Sequence, residues 1–250
     1  MLDTRTPDLV DVSHPIRSLA LGDGRVTRYL DTGEPGRHPV VFFGGVGTSA
    51  GAFSLTEFAR DERDRLALRF ISVERNGFGA TPFTPGLGFA DAVDDVLAVL
   101  AELDVDRFSV VAISGGGPYA ARLTARVPRC VASLHLAAAT SGGALAAGGA
   151  AADLLADVPA IAQDPAAFWE YPADSTVRHV PGFMDAARDE GRRALGDPAR
   201  AAAALRHELA LLGSDELPDL REVASPAFLY WGEADQLVPL EHLRAWQAAL

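Results

Sequence analysis

The sequence predicts an α/β fold: a mostly parallel β-sheet flanked by helices, with a helical insertion. Three observations predict it. Short apolar runs recur at residues 40–43, 70–73, 108–113, 133–136 and 227–231, and segments of helical spacing separate the first four. These runs are apolar on both faces, as strands of a covered parallel sheet are. From about residue 140 to 213 the alternation breaks, and an Ala-rich stretch with helical spacing replaces it. A chain of 250 residues favours one domain with an insertion over two domains. The expected division is a first core part at 1–140, a helical cap or lid at 141–212 and a second core part at 213–250.

Taken in order, residues 16–21 and 25–30 are β-prone and flank Gly22-Asp23-Gly24, a hairpin signal. A Gly/Pro-rich loop leads to the strand at 40–43. A helix is expected over 54–66, with Ser54 and Glu57 spaced as a capping box. The strand at 70–73 and a Gly/Pro loop precede a helix in which Phe89, Val93, Val96, Leu97, Leu100 and Leu103 share one face. Asp91, Asp94 and Asp95 stand in its early turns, where the helix dipole favours negative charge. A strand at 108–113, a helix at 118–127 and a strand at 133–136 follow. Within the insertion, helices are expected near 186–193 and 198–212, and the Ala/Gly tract at 141–152 reads as a mobile connection. A strand at 227–231 and a helix from 240, behind Pro239, close the chain.

Composition excludes several functions. The formal charge of −12 disfavours nucleic acid and anionic membranes as partners. All 22 basic residues are arginine, so Schiff-base chemistry and Walker-type nucleotide binding have no lysine to use. Cys130 is the single cysteine, and no histidine pair has metal-ligand spacing, so neither a disulfide within the chain nor a metal is expected. No apolar run reaches the roughly 18 residues of a membrane span. The acidic N-terminal segment has no signal-peptide core, and cytoplasmic residence is the expectation. The expected partner is a small-molecule substrate. Oligomeric state is not legible.

Chemistry concentrates at Val110-Val111-Ala112-Ile113-Ser114-Gly115-Gly116-Gly117-Pro118, between a strand and a helix. A serine in such a turn is pushed out above the sheet as a nucleophile, and its neighbours two residues either side must be small. Ala112 and Gly116 meet that demand. The helix N-terminus behind the serine offers amides to a developing oxyanion.

With this elbow the chain resembles the α/β-hydrolase superfamily, along nearly its whole length. Phe43-Gly44-Gly45-Val46-Gly47-Thr48-Ser49 resembles the family's oxyanion loop, most closely that of proline-iminopeptidase-type members. Glu74-Arg75-Asn76-Gly77-Phe78-Gly79-Ala80-Thr81 resembles the segment after the fourth strand. Tyr230-Trp231-Gly232-Glu233-Ala234-Asp235 resembles the segment that carries the catalytic acid. The resemblance implies a serine hydrolase working through an acyl-enzyme on a small ester, thioester, lactone or amide, without a cofactor. It implies Ser114 as nucleophile, Asp235 as acid with Glu233 in reserve, and an oxyanion hole from the Gly115 amide plus that of Gly45 or Val46. Phe43 stands where the family has histidine, which implies altered support for the loop.

The base is the gap. Chain order places it after the acid, yet only residues 236–250 follow Asp235, and a helix, two loops and a strand need roughly 20–30. The expectation is a chain that lacks the final strand and the catalytic histidine, impaired in turnover. His14 and His38 are expected in early loops, His135 within a strand as a hydrogen-bonded core residue, and His179 and His207 in the cap. His242 is the remaining candidate, expected on a water-facing helix surface.

Two other readings compete. A hydrolase fold retained for ligand binding is one. The other is a dinucleotide-binding protein, since Gly45-Val46-Gly47-Thr48-Ser49-Ala50 fits the G-x-G-x-x-G/A pattern with Glu74 ending the next strand. That reading leaves the elbow and the Asp235 segment unexplained. The aromatic and apolar residues Phe168, Trp169, Tyr171, Phe183 and Met184 are expected either to roof a substrate site or to pack the cap onto the core.

Overall fold

A computed structural model describes residues 14–214 and 216–250; the N-terminal segment read for a targeting signal lies outside them. Seven strands form one sheet: β1 (Ile16–Ala20), β2 (Val26–Asp31), β3 (His38–Phe43), β4 (Leu68–Val73), β5 (Phe108–Ile113), β6 (Val131–Ala137) and β7 (Ala227–Tyr230). Their order is β1-β2-β4-β3-β5-β6-β7. The β1–β2 hairpin and the β2–β4 pair are antiparallel, and the other pairs are parallel. Parallel neighbours need crossovers, and the helices α1 (Arg60–Arg65), α2 (Phe89–Glu102) and α3 (Gly117–Arg126) lie in them.

The larger core lies on one face of the sheet. Val41, Ile71, Val110, Leu134 and Leu136 meet Val93, Val96, Val99 and Leu100 of α2 and Leu123 of α3 there. Trp246 of α8 (Leu240–Ala249) joins them, fully buried, with its Nε1 donating to the Ala139 carbonyl at 2.9 Å. On the other face Phe42, Phe53 and Leu30 form a smaller cluster beneath a 3-10 helix, Ala50–Ala59.

That 3-10 helix corrects one expectation. The helical turn begins at Ala50, not at 54, and Ser49 caps it by accepting from the Gly51 amide at 3.0 Å. Glu57 is no capping-box partner. It is buried and pairs with Arg63 and Arg60. A four-residue spacing cannot register ion pairs made from the other side.

Between β6 and β7 lie α4 (Gly143–Ala147), α5 (Ala150–Gln163), α6 (Phe183–Leu195) and α7 (Pro198–Ser214). The tract expected to be a mobile connection is helical over most of its length. Gly142 and Gly149, both at positive φ, serve as the caps from which α4 and α5 start. Val158, Ile161 and Ala162 of α5 then pack on Ala204, Leu205 and Leu209 of α7.

β7 is an edge of the sheet. Ala227 and Leu229 pack against the larger core, whereas Phe228 and Tyr230 are 44% and 52% exposed on the opposite face. His135 stacks between these rings, half-buried on that face and not in the core. It belongs to a hydrogen-bonded row spanning four strands. His38 Nε2 meets Ser109 Oγ at 2.9 Å, Ser109 meets Ser133 at 2.7 Å, Ser133 meets His135 Nε2 at 2.9 Å, and His135 Nδ1 meets the Tyr230 hydroxyl at 3.1 Å. His38, expected in a loop, is thus the first residue of β3.

Candidate active site

A sharp turn lies at the exit of β5, at one of four described non-glycine residues with positive φ. Ser114 has φ +51°, a left-handed conformation that a non-glycine residue adopts only under constraint from its surroundings. Thr140 supplies one constraint, its amide donating to the Ser114 carbonyl at 2.8 Å. The tight turn leaves no room beside it. A Cβ on Gly116 would lie 2.5 Å from the Phe43 carbonyl oxygen, and one on Gly117 would strike the Thr140 carbonyl. At Gly116 the small residue that the sequence pattern demands is demanded here by the backbone oxygens of Phe43 and Gly44.

The loop after β3 passes directly over this turn. A Cβ on Gly45 would sit 3.4 Å from Ser114 Cβ, and one on Gly115 would sit 3.0 Å from the Val46 nitrogen. The Val46 nitrogen therefore lies close to Gly115, the residue after the serine. Gly115 stands in the first helical turn, whose amides have no acceptor within the helix. The Val46 amide donates to no acceptor among the described residues.

Support for this loop comes from three buried charges to which the sequence reading gave no role. Glu208 of α7 accepts from the Gly47 amide at 2.9 Å, and Glu190 of α6 accepts from the Ser49 amide at 2.7 Å. Arg75 donates to the carbonyls of Gly44 and Gly45 and pairs with Glu208 at 3.0 Å. The two carboxylates had a legible signal. Glu190 shares a face with Phe183, Ala187 and Ala194, and Glu208 lies in the stripe Ala201, Ala204, Leu205, Leu212. A charge on the apolar face of a helix needs a buried partner.

Glu74, which the dinucleotide reading would aim at a ribose, is turned inward. It accepts from the Ala80 amide at 3.2 Å and from Thr81 Oγ1 at 2.9 Å. Burial pushes its carboxyl up. Its oxygens fill the space above Gly79, so it closes its own loop.

Asp235 lies in the turn after β7, beyond the same sheet edge as Ser114, because β5, β6 and β7 run parallel. Its Oδ1 accepts from the amides of Leu237 and Val238, each at 2.9 Å. Oδ2 accepts no hydrogen bond among the described residues. Glu233 is exposed.

His242 is not on a water-facing surface: it is 5% exposed and lines the same cavity as Ser114. Its Nδ1 accepts from the Ser141 amide at 3.1 Å and contacts Ser141 Oγ at 3.0 Å. An amide can only donate, so Nδ1 carries the lone pair and Nε2 carries the proton. In that tautomer the ring presents Ser114 no free lone pair. Among the described residues the Ser114 hydroxyl makes no hydrogen bond to any imidazole. His14 meets Glu57, His179 lies in a 3-10 turn, and His207 donates to the Leu87 carbonyl.

Burial holds the His242 imidazole below its ordinary value of 6.5, against the opposing charges of Glu241 and Asp235. A depressed folded-state value means that the unfolded chain binds the proton first as pH falls. This contribution to stability is therefore complete above pH 6.5 and declines as pH drops through and below it. Melting temperature is expected to fall between pH 7.5 and 5.5, and His242→Asn, which keeps an acceptor for Ser141, is expected to flatten part of that slope.

The cavity above Ser114 has a volume of about 490 Å³. Its walls are chiefly apolar: Leu145, Leu154, Leu209 and Leu212, with Phe168, Trp169 and Tyr171. Phe183 and Met184 do not reach it; they pack with Leu55 and Ala187 instead. Glu170 at the rim is engaged by Arg178 at 2.6 Å and Arg188 at 3.1 Å.

Residues 40–250 match the model of the alpha/beta hydrolase family, and the chain belongs to that family. No curated protein matches it in sequence. Solved structures resemble it across most of its length. A hydrolase from Pseudomonas aeruginosa PA01 superposes with a TM-score of 0.68 at 21% identity, over 94% of this chain and 86% of that one. An esterase from Exiguobacterium antarcticum gives 0.67 at 17%, over 93% and 87%. An enol-lactonase from Burkholderia xenovorans LB400 gives 0.69 at 17%, also over 93% and 87%. At these identities the likeness is one of fold. Among the described residues no helix is long and apolar enough to cross a membrane.

Proposed function

We infer that this chain is a serine hydrolase of small, uncharged, apolar esters or lactones, with Ser114 as nucleophile. The observation that carries the reading is the φ of +51° at Ser114, a strained position at the mouth of an apolar cavity. The hydroxyl oxygen would attack the substrate carbonyl, and the oxyanion would form between the amides of Gly115 and Val46. Val46 is preferred to Gly45 because its nitrogen is the one beside Gly115. Asp235 serves as the acid, with Oδ1 held by two amides and Oδ2 left for an imidazole. The base is not assigned, since His242 is held with its proton on Nε2. An amine-terminal substrate is disfavoured, because the carboxylate at the cavity rim, Glu170, is already paired with two arginines.

A serine-directed fluorophosphonate is expected to leave one adduct, on the peptide containing Ser114. Among p-nitrophenyl esters, butyrate and hexanoate are expected to outrun acetate, because a longer acyl chain buries more apolar surface in the cavity. A label elsewhere on the chain, or no chain-length preference, would count against the site. The second reading, binding without turnover, draws on the Ser114 hydroxyl having no imidazole bonded to it among the described residues. It predicts saturable binding of the same esters with no release of nitrophenol.

The helical cap, expected at 141–212, is part of this proposal. Residues from α4, α5 and α7, together with Phe168, Trp169 and Tyr171, supply most of the cavity wall.

A further inference from the structure

Burying a carboxylate is costly unless partners recover it, and apolar packing can often do the same structural work as well. This chain buries two against one loop. Glu208 is 2% exposed and Glu190 is 1% exposed. Glu208 divides its oxygens: Oε2 takes the Gly47 amide, while Oε1 takes Arg75 Nε at 3.0 Å and the Tyr119 hydroxyl at 3.3 Å. Glu190 takes the Ser49 amide on Oε1 and the Ser49 hydroxyl on Oε2 at 3.0 Å, with Arg193 at 3.0 Å.

Arg75 completes the frame. It is 7% exposed, lies 5.1 Å from the centre of the Tyr119 ring, and donates to the Gly44 and Gly45 carbonyls and to Thr48 Oγ1. Thr48 Oγ1 in turn donates to the Gly45 carbonyl at 2.8 Å. The peptide that carries the Val46 amide is the one whose oxygen is Gly45 O. Holding that oxygen on one side fixes the N–H on the other, since the six atoms are coplanar. The Gly47 amide, held by Glu208, fixes the next peptide plane.

We propose that Glu208 and Glu190 are positioning residues that, through Arg75 and the amides of Gly47 and Ser49, set the direction of the Val46 N–H. The oxyanion donor is then oriented by α6 and α7, helices that follow the loop by more than a hundred residues, and not by β3 alone. The substitution of Phe43 for the expected histidine fits this arrangement. The proposal rests on the reading of Ser114 and Val46 given above, and its test separates the two.

Glu208→Gln is the informative variant. All three partners of Glu208 are donors, and glutamine offers one acceptor and one donor in place of two acceptors. One contact must become donor against donor. The expected result is a kcat for p-nitrophenyl butyrate lowered about 10-fold or more, toward the 10²–10³-fold that losing an oxyanion donor costs, with KM within about twofold. Glu208→Asp is expected to recover part of the loss. Glu190→Gln is expected to act in the same direction, and Asp189→Asn, on the exposed side of α6, is expected to change nothing.

Hydrogen exchange supplies a readout independent of turnover. The peptide spanning residues 44–51 should exchange faster in Glu208→Gln, with the strands unchanged. Unchanged exchange there overturns the proposal. So does a variant with a lowered melting temperature but wild-type kcat per folded molecule. If no variant, the parent included, shows Ser114-dependent turnover, the reading of the site fails, and the exchange result alone decides the coupling of helices to loop.

Discussion

Added imidazole is expected to raise ester hydrolysis by this chain at least about tenfold, and Ser114→Ala is expected to erase that rise. A serine hydroxyl is a weak nucleophile until a positioned base takes its proton. The Ser114 hydroxyl has no imidazole bonded to it among the described residues, and His242 has its Nδ1 lone pair committed to the Ser141 amide. Losing the base from an assembled serine–histidine pair costs on the order of 10⁶-fold, while an oxyanion hole and binding alone retain roughly 10³–10⁴-fold over water. Turnover by the chain alone is expected near that residual level. Free imidazole can enter a cavity of about 490 Å³ and serve as a base there. The measurement is initial rate against imidazole concentration, corrected for the direct reaction of imidazole with the ester. Stimulation that survives in Ser114→Ala would remove the serine from the mechanism. A chain already fast without imidazole would make His242→Ala the decisive variant.

The largest stability effect is expected at Trp246. Its ring is fully buried in the larger core, and Nε1 closes on the Ala139 carbonyl at 2.9 Å, just where β6 hands over to the turn before α4. The ring also abuts Gly117 at the start of α3, where an added Cβ would lie 3.1 Å from Cζ2. Trp246→Ala removes that volume and strands a buried carbonyl. Such truncations cost about 3–5 kcal/mol. For a chain of this size each kcal/mol moves the melting temperature by about 2–4 °C, so a fall of roughly 6–20 °C is expected by calorimetry. Leu237→Ala, at a side chain 75% exposed, is expected to shift it hardly at all.

What the sequence disclosed follows from the range of the forces involved. Fully buried strands such as β3 and β5 show themselves as unbroken apolar runs, because both faces are covered. The elbow at Ser114 was readable because its steric demands fall on residues within two positions of it. The start of the first 3-10 helix was misplaced because Glu57 answers to Arg63 and His14, not to Ser54. The helices in the Ala/Gly tract were not legible for a related reason: its glycines cap helices whose packing partner, α7, lies some 50 residues on. Contacts between Glu208 and Gly47, 161 residues apart, leave no local trace beyond a charge on an apolar stripe.

The hydrogen-bonded row from His38 to Tyr230 couples the tautomers of its two imidazoles: two serine protons cannot fill three contacts, so both rings cannot accept at Nε2. Where each serine hydroxyl donates along the row and His38 donates from Nε2, both hydroxyls point onward, His135 accepts at Nε2, and its Nδ1 proton goes to Tyr230. If Tyr230 donates, every proton reverses, leaving His135 protonated at Nε2 and His38 at Nδ1. Four strands thus carry a one-bit register written in proton positions. Nitrogen chemical shifts of the two rings should therefore move in opposite senses, and Tyr230→Phe, which deletes one terminus, should bias both at once.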